Sequence, residues 1–320
     1  MYVNVNREVG LLRRSEEQNL IKSPLNYTGG KYKLLEQIVP IFPEKISKFV
    51  DLFCGGCNVG INVIADKIEC IDNQKNIIRL YNIFKLNNEQ KILDIVLDII
   101  EKYRLSLVSK NGYNYYDSEG GKGLADYNKE KFISLRGDYN KRNKDELYYD
   151  IMFYVILVYA FNNQIRFNKG GNYNVPVGKR DFNSSIEENL KMFIKRIHTL
   201  NIDFINDDFR NYNINNLTEN DFVYADPPYL ITTAAYNEQG GWNEQLEMEL
   251  LNLLDNLNKK KVKFALSNVL ESNGKENIIL KEWSKKYNIH MLDFTYKNSN
   301  YQKKQENRNN KIKEVLITNY

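Results

Sequence analysis

Apolar residues along the chain recur at two periods, and the alternation between them predicts an α/β protein. Residues 48–53 (Lys-Phe-Val-Asp-Leu-Phe) form a strand-like run that ends in glycines, and 59–66 reads as a helix behind them. A second short strand is predicted at 67–71, closed by Asp72, with a helix at 77–84. The alternation resumes late, with strands at 202–206, 222–225, 262–266 and 289–294 and helices at 244–257 and 275–287. Strands separated by helices predict an open, mostly parallel sheet, doubly wound with helices on both faces.

Residues 87–200 break that alternation. They hold helical patterns at 91–103 and 146–161, a polar Gly/Asn/Tyr-rich segment at 109–128 and a turn-rich basic stretch at 164–180. The expected organisation is therefore an α/β domain in two parts, 1–86 and 201–320, interrupted by a mainly helical insertion at 87–200 that carries a hairpin. Two further strands, 296–301 and 314–317, are expected to flank an exposed polar loop at 302–313.

Composition narrows the class without choosing within it. Hydrophobic residues make up 42% and charged residues 27% of the 320, which excludes a disordered or collagenous chain. A formal charge of +4, from 45 Lys+Arg against 41 Asp+Glu, identifies no partner by itself. Residues 1–14 lack the apolar core of a secretory signal, and the longest apolar run, 151–161, is short of the roughly 18 residues a membrane span needs. A cytoplasmic protein without a membrane partner is expected, acting as a monomer. With three cysteines and two histidines, neither a disulfide framework nor histidine-based catalysis is well supplied. Cys54-Gly-Gly-Cys57 would leave zinc short of ligands, because only Cys70, His198 and His290 remain. No metal site is expected.

Three segments carry candidate chemistry. Asp226-Pro227-Pro228-Tyr229 follows the apolar strand 222–225. Two prolines remove two backbone donors and stiffen the loop, so Asp226 and the Pro227 carbonyl present acceptors suited to an exocyclic amine. Tyr229 offers a flat face for a base, which a base-modifying enzyme must first turn out of the duplex. The second segment, Phe49 to Gly60, runs a strand into glycines, where a ligand can approach the backbone, and Asp72 ends the next strand where nucleotide-binding βαβ units place an acid on ribose hydroxyls. The third, Tyr27-Thr-Gly29-Gly30-Lys31, is not a P-loop, since the first glycine is missing and Tyr32 occupies the Ser/Thr position. An aromatic and a cation there suit an adenosine-bearing ligand with a carboxylate.

In their order along the chain the segments resemble the Dam-type (alpha-group) DNA adenine N6-methyltransferases of bacterial restriction-modification systems, which carry Tyr/Trp-x-Gly-Gly-Lys, then Phe-x-Gly-x-Gly, then a target-recognition insertion, then Asp-Pro-Pro-Tyr. Asn206-Asp-Asp208-Phe209 and Leu266-Ser-Asn268 extend the match, so that it covers most of the chain. One position departs: Cys57 stands where the family has the second glycine, with Gly56 beside it. The resemblance implies a Rossmann-like, S-adenosylmethionine-dependent fold. It implies cofactor contacts from Tyr27, Gly29, Gly30, Lys31, Asp51, Phe53, Gly55, Gly56, Asp72, Asp208, Phe209 and Asp226, and a flipped adenine held by Asp226, Pro227, Pro228 and Tyr229.

A second stretch matches the family's Arg-x-Asn-x-x-Gly-x-[Phe/Tyr]-Asn-Val-Pro-x-Gly hairpin at 166–178. Arg can read guanine and Asn or Gln adenine in the major groove, while Lys serves phosphate. Double-stranded DNA is thus the implied partner of Asn162, Gln164, Arg166, Asn168, Lys169, Asn172, Tyr173, Lys179 and Arg180, and a restriction endonuclease acting on the same site is the implied companion. The rival readings are a methyltransferase acting on RNA or a protein amide, and a non-catalytic DNA-binding module. The last would show a broken Asp-Pro-Pro-Tyr or cofactor segment, and both are intact.

Overall fold

A computed structural model of the chain describes residues 2–3, 20–117, 123–142, 146–231, 241–293 and 312–320. The strand expected at 296–301 and most of the loop expected at 302–313 lie outside these residues. The described strands are β1 (Tyr2–Val3), β2 (Lys48–Asp51), β3 (Lys67–Asp72), β4 (Ile202–Asn206), β5 (Phe222–Ala225), β6 (Lys263–Ser272), β7 (Lys275–Glu276), β8 (Asn288–Leu292) and β9 (Lys313–Thr318). They form one sheet in the order β1-β8-β9-β6-β5-β2-β3-β4, with β7 hydrogen-bonded to β6. From β2 the chain builds outward through β3 and β4, then returns to place β5 on the other side of β2. Those contacts are parallel, and the reversal opens a crevice at the carboxyl ends of β2 and β5, where such sheets bind ligands. Only β9, antiparallel to both β6 and β8, and the short β7 run the other way.

The strands alternate between two cores, as a pleated sheet requires. Phe49, Ile68, Cys70, Phe222 and Tyr224 face one apolar cluster, while Val50, Ile71, Val223 and Ala225 face the other. The helices are α1 (Leu35–Ile38), α2 (Lys75–Leu86), α3 (Glu89–Lys102), α4 (Val108–Asn111), α5 (Ala125–Asn140), α6 (Leu147–Tyr159), α7 (Ser184–Thr199), α8 (Glu244–Lys259) and α9 (Ile278–Ser284). The first cluster takes up α2, α3, α5, α6 and α7, joined by ring contacts such as Phe84–Tyr154 at 5.7 Å and Tyr81–Phe193 at 5.4 Å. α6 is buried at every position from Ile151 to Tyr159, which explains its lack of a polar face. Leu250, Leu254 and Leu257 of α8, with Leu280 of α9, cover the second. The architecture is a mostly parallel sheet between two helical layers, and among the described residues no helix is long and apolar enough to cross a membrane.

Four local expectations are corrected. The helix at 59–66 is a single 3-10 turn, Gly60–Asn62, because Val63 turns to extended backbone and the Asn58 and Asn62 side chains bond to Ile21 and Ser23. The strand at 262–266 runs on to Ser272 and folds back through Asn273 and Gly274, at φ 50° and 77°, into β7. That two-residue turn, matched to strand twist, takes the first residues of the helix expected at 275–287, which begins only at Ile278. Within 87–200, α5 and α7 were not foreseen. α7 carries Leu190, Phe193, Ile194 and Ile197 at regular helical spacing behind an Asn183 cap, whereas α5 buries Phe132, Leu135 and Tyr139 amid mostly polar residues.

Candidate active site

A cavity of about 620 Å³ opens at the carboxyl ends of β2, β3 and β5. All the residues expected at a cofactor, from Tyr27 to Asp226, line it together with Pro227, Pro228 and Tyr229. The loop after β2 is shaped by its neighbours. The Gly55 N–H donates to Asp72 Oδ2 at 2.9 Å, and Tyr81 donates its hydroxyl to the Gly55 carbonyl at 2.7 Å. Gly55 has φ +43°, and a Cβ there would lie 2.8 Å from the Tyr27 ring; at Gly56 it would lie 2.9 Å from the Tyr27 Cβ. Both glycines are therefore what allows Tyr27 to lie on the loop. Cys57 adopts φ +56° without being glycine, and its fully buried side chain sits 3.5 Å from Cys70 Sγ in the core rather than on the cavity wall. The departure from the glycine pattern thus leaves the cavity clear.

The wall is acidic and aromatic. Asp51 ends β2 with Oδ1 buried and without a hydrogen-bond partner, and burial pushes its carboxyl well above the usual carboxylate range. Burial also raises Asp72, whose oxygens accept the Gly55 and Gln74 N–H groups. Asp208 is gripped by Arg210, with Nε at 2.7 Å from Oδ1 and Nη2 at 3.0 Å from Oδ2, and those hydrogen bonds hold it below the usual range. Phe53 packs on Phe209 at 5.2 Å and edge-on to Trp242 at 5.7 Å. Trp242 donates to Glu247 Oε2 at 2.7 Å, and this wholly buried carboxylate also accepts from Asn268 at 3.2 Å and Asn277 at 3.0 Å.

Asp226 is the hub of the opposite wall. The Lys31 ammonium lies 2.7 Å from Asp226 Oδ1 and 3.6 Å from Glu314 Oε1, and it donates to the Gly29 carbonyl at 3.1 Å. The Tyr229 hydroxyl stands 3.0 Å from Asp226 Oδ1 and 3.2 Å from Glu314 Oε1. Burial pushes both carboxyls up and the Lys31 charge pulls them partway back; burial opposes the ammonium, but the two carboxylates outweigh it and hold Lys31 above its ordinary value. Sequence reasoning gave Lys31 to a ligand carboxylate, and the structure pairs it with Asp226. It missed Arg210, Trp242, Glu247 and Glu314, although Asn268 had been singled out and points to Glu247.

The basic stretch stands apart from this cavity. Antiparallel bridges Ala160↔Val177 and Phe167↔Tyr173 make it a hairpin, with Asn168 Oδ1 accepting the Gly170 and Asn172 N–H groups at its tip. Asn162, Arg166, Asn168, Lys169, Asn172, Lys179 and Arg180 are exposed and Gln164 is half-buried. Tyr173 departs from the expectation: it is 1% exposed, donates its hydroxyl to the Gln164 carbonyl at 2.6 Å and has no free face for a base. Its part is to brace the hairpin against α5 through Asn140. Arg180 lines a second cavity of about 300 Å³, and Tyr27 lines both, so hairpin and main cavity meet at that ring.

Comparison with known proteins gives this arrangement a context. The sequence model of the family described as D12 class N6 adenine-specific DNA methyltransferase matches residues 27–298. Type II methyltransferase M.FokI of Planomicrobium okeanokoites is 42% identical over 319 residues, 98% of this chain and 44% of that protein. Modification methylase StsI of Streptococcus sanguinis is 38% identical, over 99% of this chain and 45% of that protein. A DNA adenine methylase of Vibrio cholerae is 25% identical over 68% of this chain and 69% of its own length. The chain spans somewhat under half the length of the first two relatives.

Proposed function

The chain belongs to the D12 class of N6 adenine-specific DNA methyltransferases, and from that premise we propose that it moves a methyl group from S-adenosylmethionine to the N6 amino group of an adenine turned out of duplex DNA. The observation that carries this reading is the single cavity that joins the acidic, aromatic wall to the Asp226 hub. Its titratable lining is Asp51, Asp72, Asp207, Asp208 and Asp226 against Lys31 and Arg210, and a ligand bearing a sulfonium and an ammonium would favour the ionised forms of the aspartates that burial pushes up. The unpartnered Asp51 oxygen fits the ammonium, Asp72 the ribose hydroxyls, and Phe53, Phe209 and Trp242 an adenine ring.

Bound there, S-adenosylmethionine supplies a methyl carbon already activated by the sulfonium charge. The protein's work is then positioning. Adenine's amino lone pair is delocalised into its ring. Accepting the amino hydrogens at Asp226 and the Pro227 carbonyl would favour a more pyramidal nitrogen, whose lone pair would attack the methyl carbon as its bond to sulfur breaks, with one proton then lost from the nitrogen to water. The Lys31 charge favours the ionised form of Asp226, which is the stronger acceptor, and the Tyr229 ring supplies a stacking face. Residues 87–200 are read as the target-recognition part, with the exposed hairpin as its DNA contact. The relatives named as a Type II methyltransferase and a modification methylase support a role beside an endonuclease of the same specificity.

Sequencing for N6-methyladenine in DNA from a host without adenine methylation tests the proposal. Methylation in one sequence context is expected with the intact chain and not with Asp226→Ala, which should still bind S-adenosylmethionine. Unmethylated DNA beside folded, cofactor-binding protein would overturn it in favour of an RNA or protein-amide substrate.

A further inference from the structure

Glu314 lies at the start of β9, which runs antiparallel to both of its neighbours, β6 and β8. That reversal brings the first residues of β9 to the carboxyl edge of the parallel strands, beside the Asp226 loop. The residue is 6% exposed, yet its described partners are only a hydroxyl at 3.2 Å and an ammonium at 3.6 Å. A buried carboxylate held so loosely is a poor source of stability, since desolvation of the charge is repaid only by close, complete pairing. Its contacts instead fall on the two groups that also bind Asp226.

The Tyr229 hydroxyl competes with the reaction, whereas the Lys31 charge supports Asp226. Lys31 and Tyr229 both approach Asp226 at Oδ1, and the hydroxyl placed there weakens that oxygen as an acceptor for anything else. Tyr229 has one hydroxyl proton and two acceptors within 0.2 Å of equal distance, 3.0 Å on Asp226 and 3.2 Å on Glu314. Resting on the methyl-transfer reading, we propose that Glu314 is a positioning residue: it draws the Tyr229 hydroxyl away from Asp226, leaving Asp226 free to accept the amino hydrogens of the target adenine. No bond is made or broken in this exchange, because the hydroxyl only turns.

The test is single-turnover transfer of labelled methyl from S-adenosylmethionine to unmethylated genomic DNA by the 320-residue chain. Glu314→Gln keeps the shape and removes the charge. It should slow transfer about tenfold with the cofactor dissociation constant and melting temperature unchanged, while Glu314→Asp should retain part of the rate. The deciding measurement is a double-mutant cycle with Tyr229→Phe, which keeps the stacking face. If Glu314 acts through the hydroxyl, Glu314→Gln should cost about threefold or less in that background. An equal loss in both backgrounds, or a loss that follows a lower melting temperature, would make Glu314 a structural brace and overturn the inference. Absence of transfer by the unaltered chain would instead overturn the proposed function on which it rests.

Discussion

Replacing Lys31 with methionine keeps an apolar stem of similar length and removes the charge from a site where it is 5% exposed. Two carboxylates stay behind, Asp226 at 2.7 Å and Glu314 at 3.6 Å from the lost nitrogen. At an effective dielectric of ~20, the attraction to Asp226 alone is about 6 kcal/mol. Breaking a buried pair costs about 3–5 kcal/mol net, because desolvation had already been spent on both partners. Even the lower figure moves the Asp226 ionisation equilibrium on the order of a hundredfold toward the neutral acid. Burial already holds Asp226 above the usual carboxylate range, and Lys31 is what lowers it. The ionised carboxylate is the stronger acceptor, so activity falls as pH drops through the folded-state pKa, and loss of the cation moves that fall to higher pH. Lys31→Met should therefore be nearly inactive at neutral pH and regain activity in more alkaline buffer, as followed by labelled methyl transfer across a pH series. Coincident profiles for the variant and the unaltered chain would refute the account. Cofactor affinity, measured by calorimetry, separates the two roles for Lys31, since a lysine that bound the cofactor carboxylate would cost affinity at every pH.

Other predictions bear on the wall and the hairpin. Glu247→Ala strands the Trp242, Asn268 and Asn277 donors in the core, at about 1–3 kcal/mol each, so the melting temperature should fall by several degrees and cofactor affinity with it. An unchanged melting curve would remove Glu247 from its anchoring role. Arg166→Ala should weaken binding to duplex DNA and reduce the slope of log affinity against log salt by about 1 if the side chain meets phosphate. Fluorescence anisotropy over a salt series checks it, and an unaltered slope and affinity would place DNA elsewhere.

The features legible in the sequence are those whose cause is local. β2 and β5 are short apolar runs at the centre of the sheet, buried on both faces, whereas β3 and the edge strand β4 alternate apolar with polar residues at the period of two that a strand requires. The glycine loop and Asp-Pro-Pro-Tyr were likewise visible because their backbone constraints are written in the residues themselves. The 3-10 turn at Gly60–Asn62 was not, because the asparagine side chains that divert it bond to residues about 35 to 41 positions earlier. Glu314 is separated from Tyr229 by 85 positions, and Glu247 gathers partners 21 and 30 positions away. Nothing near either glutamate marks it out. By contrast, the Asn-Gly hairpin at 273–274 and the apolar face of α7 were written locally and could have been read.

Charge distribution joins the two halves of the proposed reaction. On the proposed reading the substrate is a polyanion and the methyl donor a cation, so one protein would have to attract both without letting either take the other's place. Residues 162–180 contain Arg166, Lys169, Lys179 and Arg180 and no acid, and these four cations equal the whole net charge of +4, leaving the rest of the chain neutral. The cavity shows the opposite balance, with five aspartates against two cations. A phosphate entering it would meet repulsion in a space that water screens poorly, whereas a neutral base would not. In the proposed reaction, turning out an uncharged adenine while its backbone phosphates stay on the basic hairpin would satisfy both fields at once. Tyr27, which lines the main cavity and the one beside Arg180, stands where that division falls.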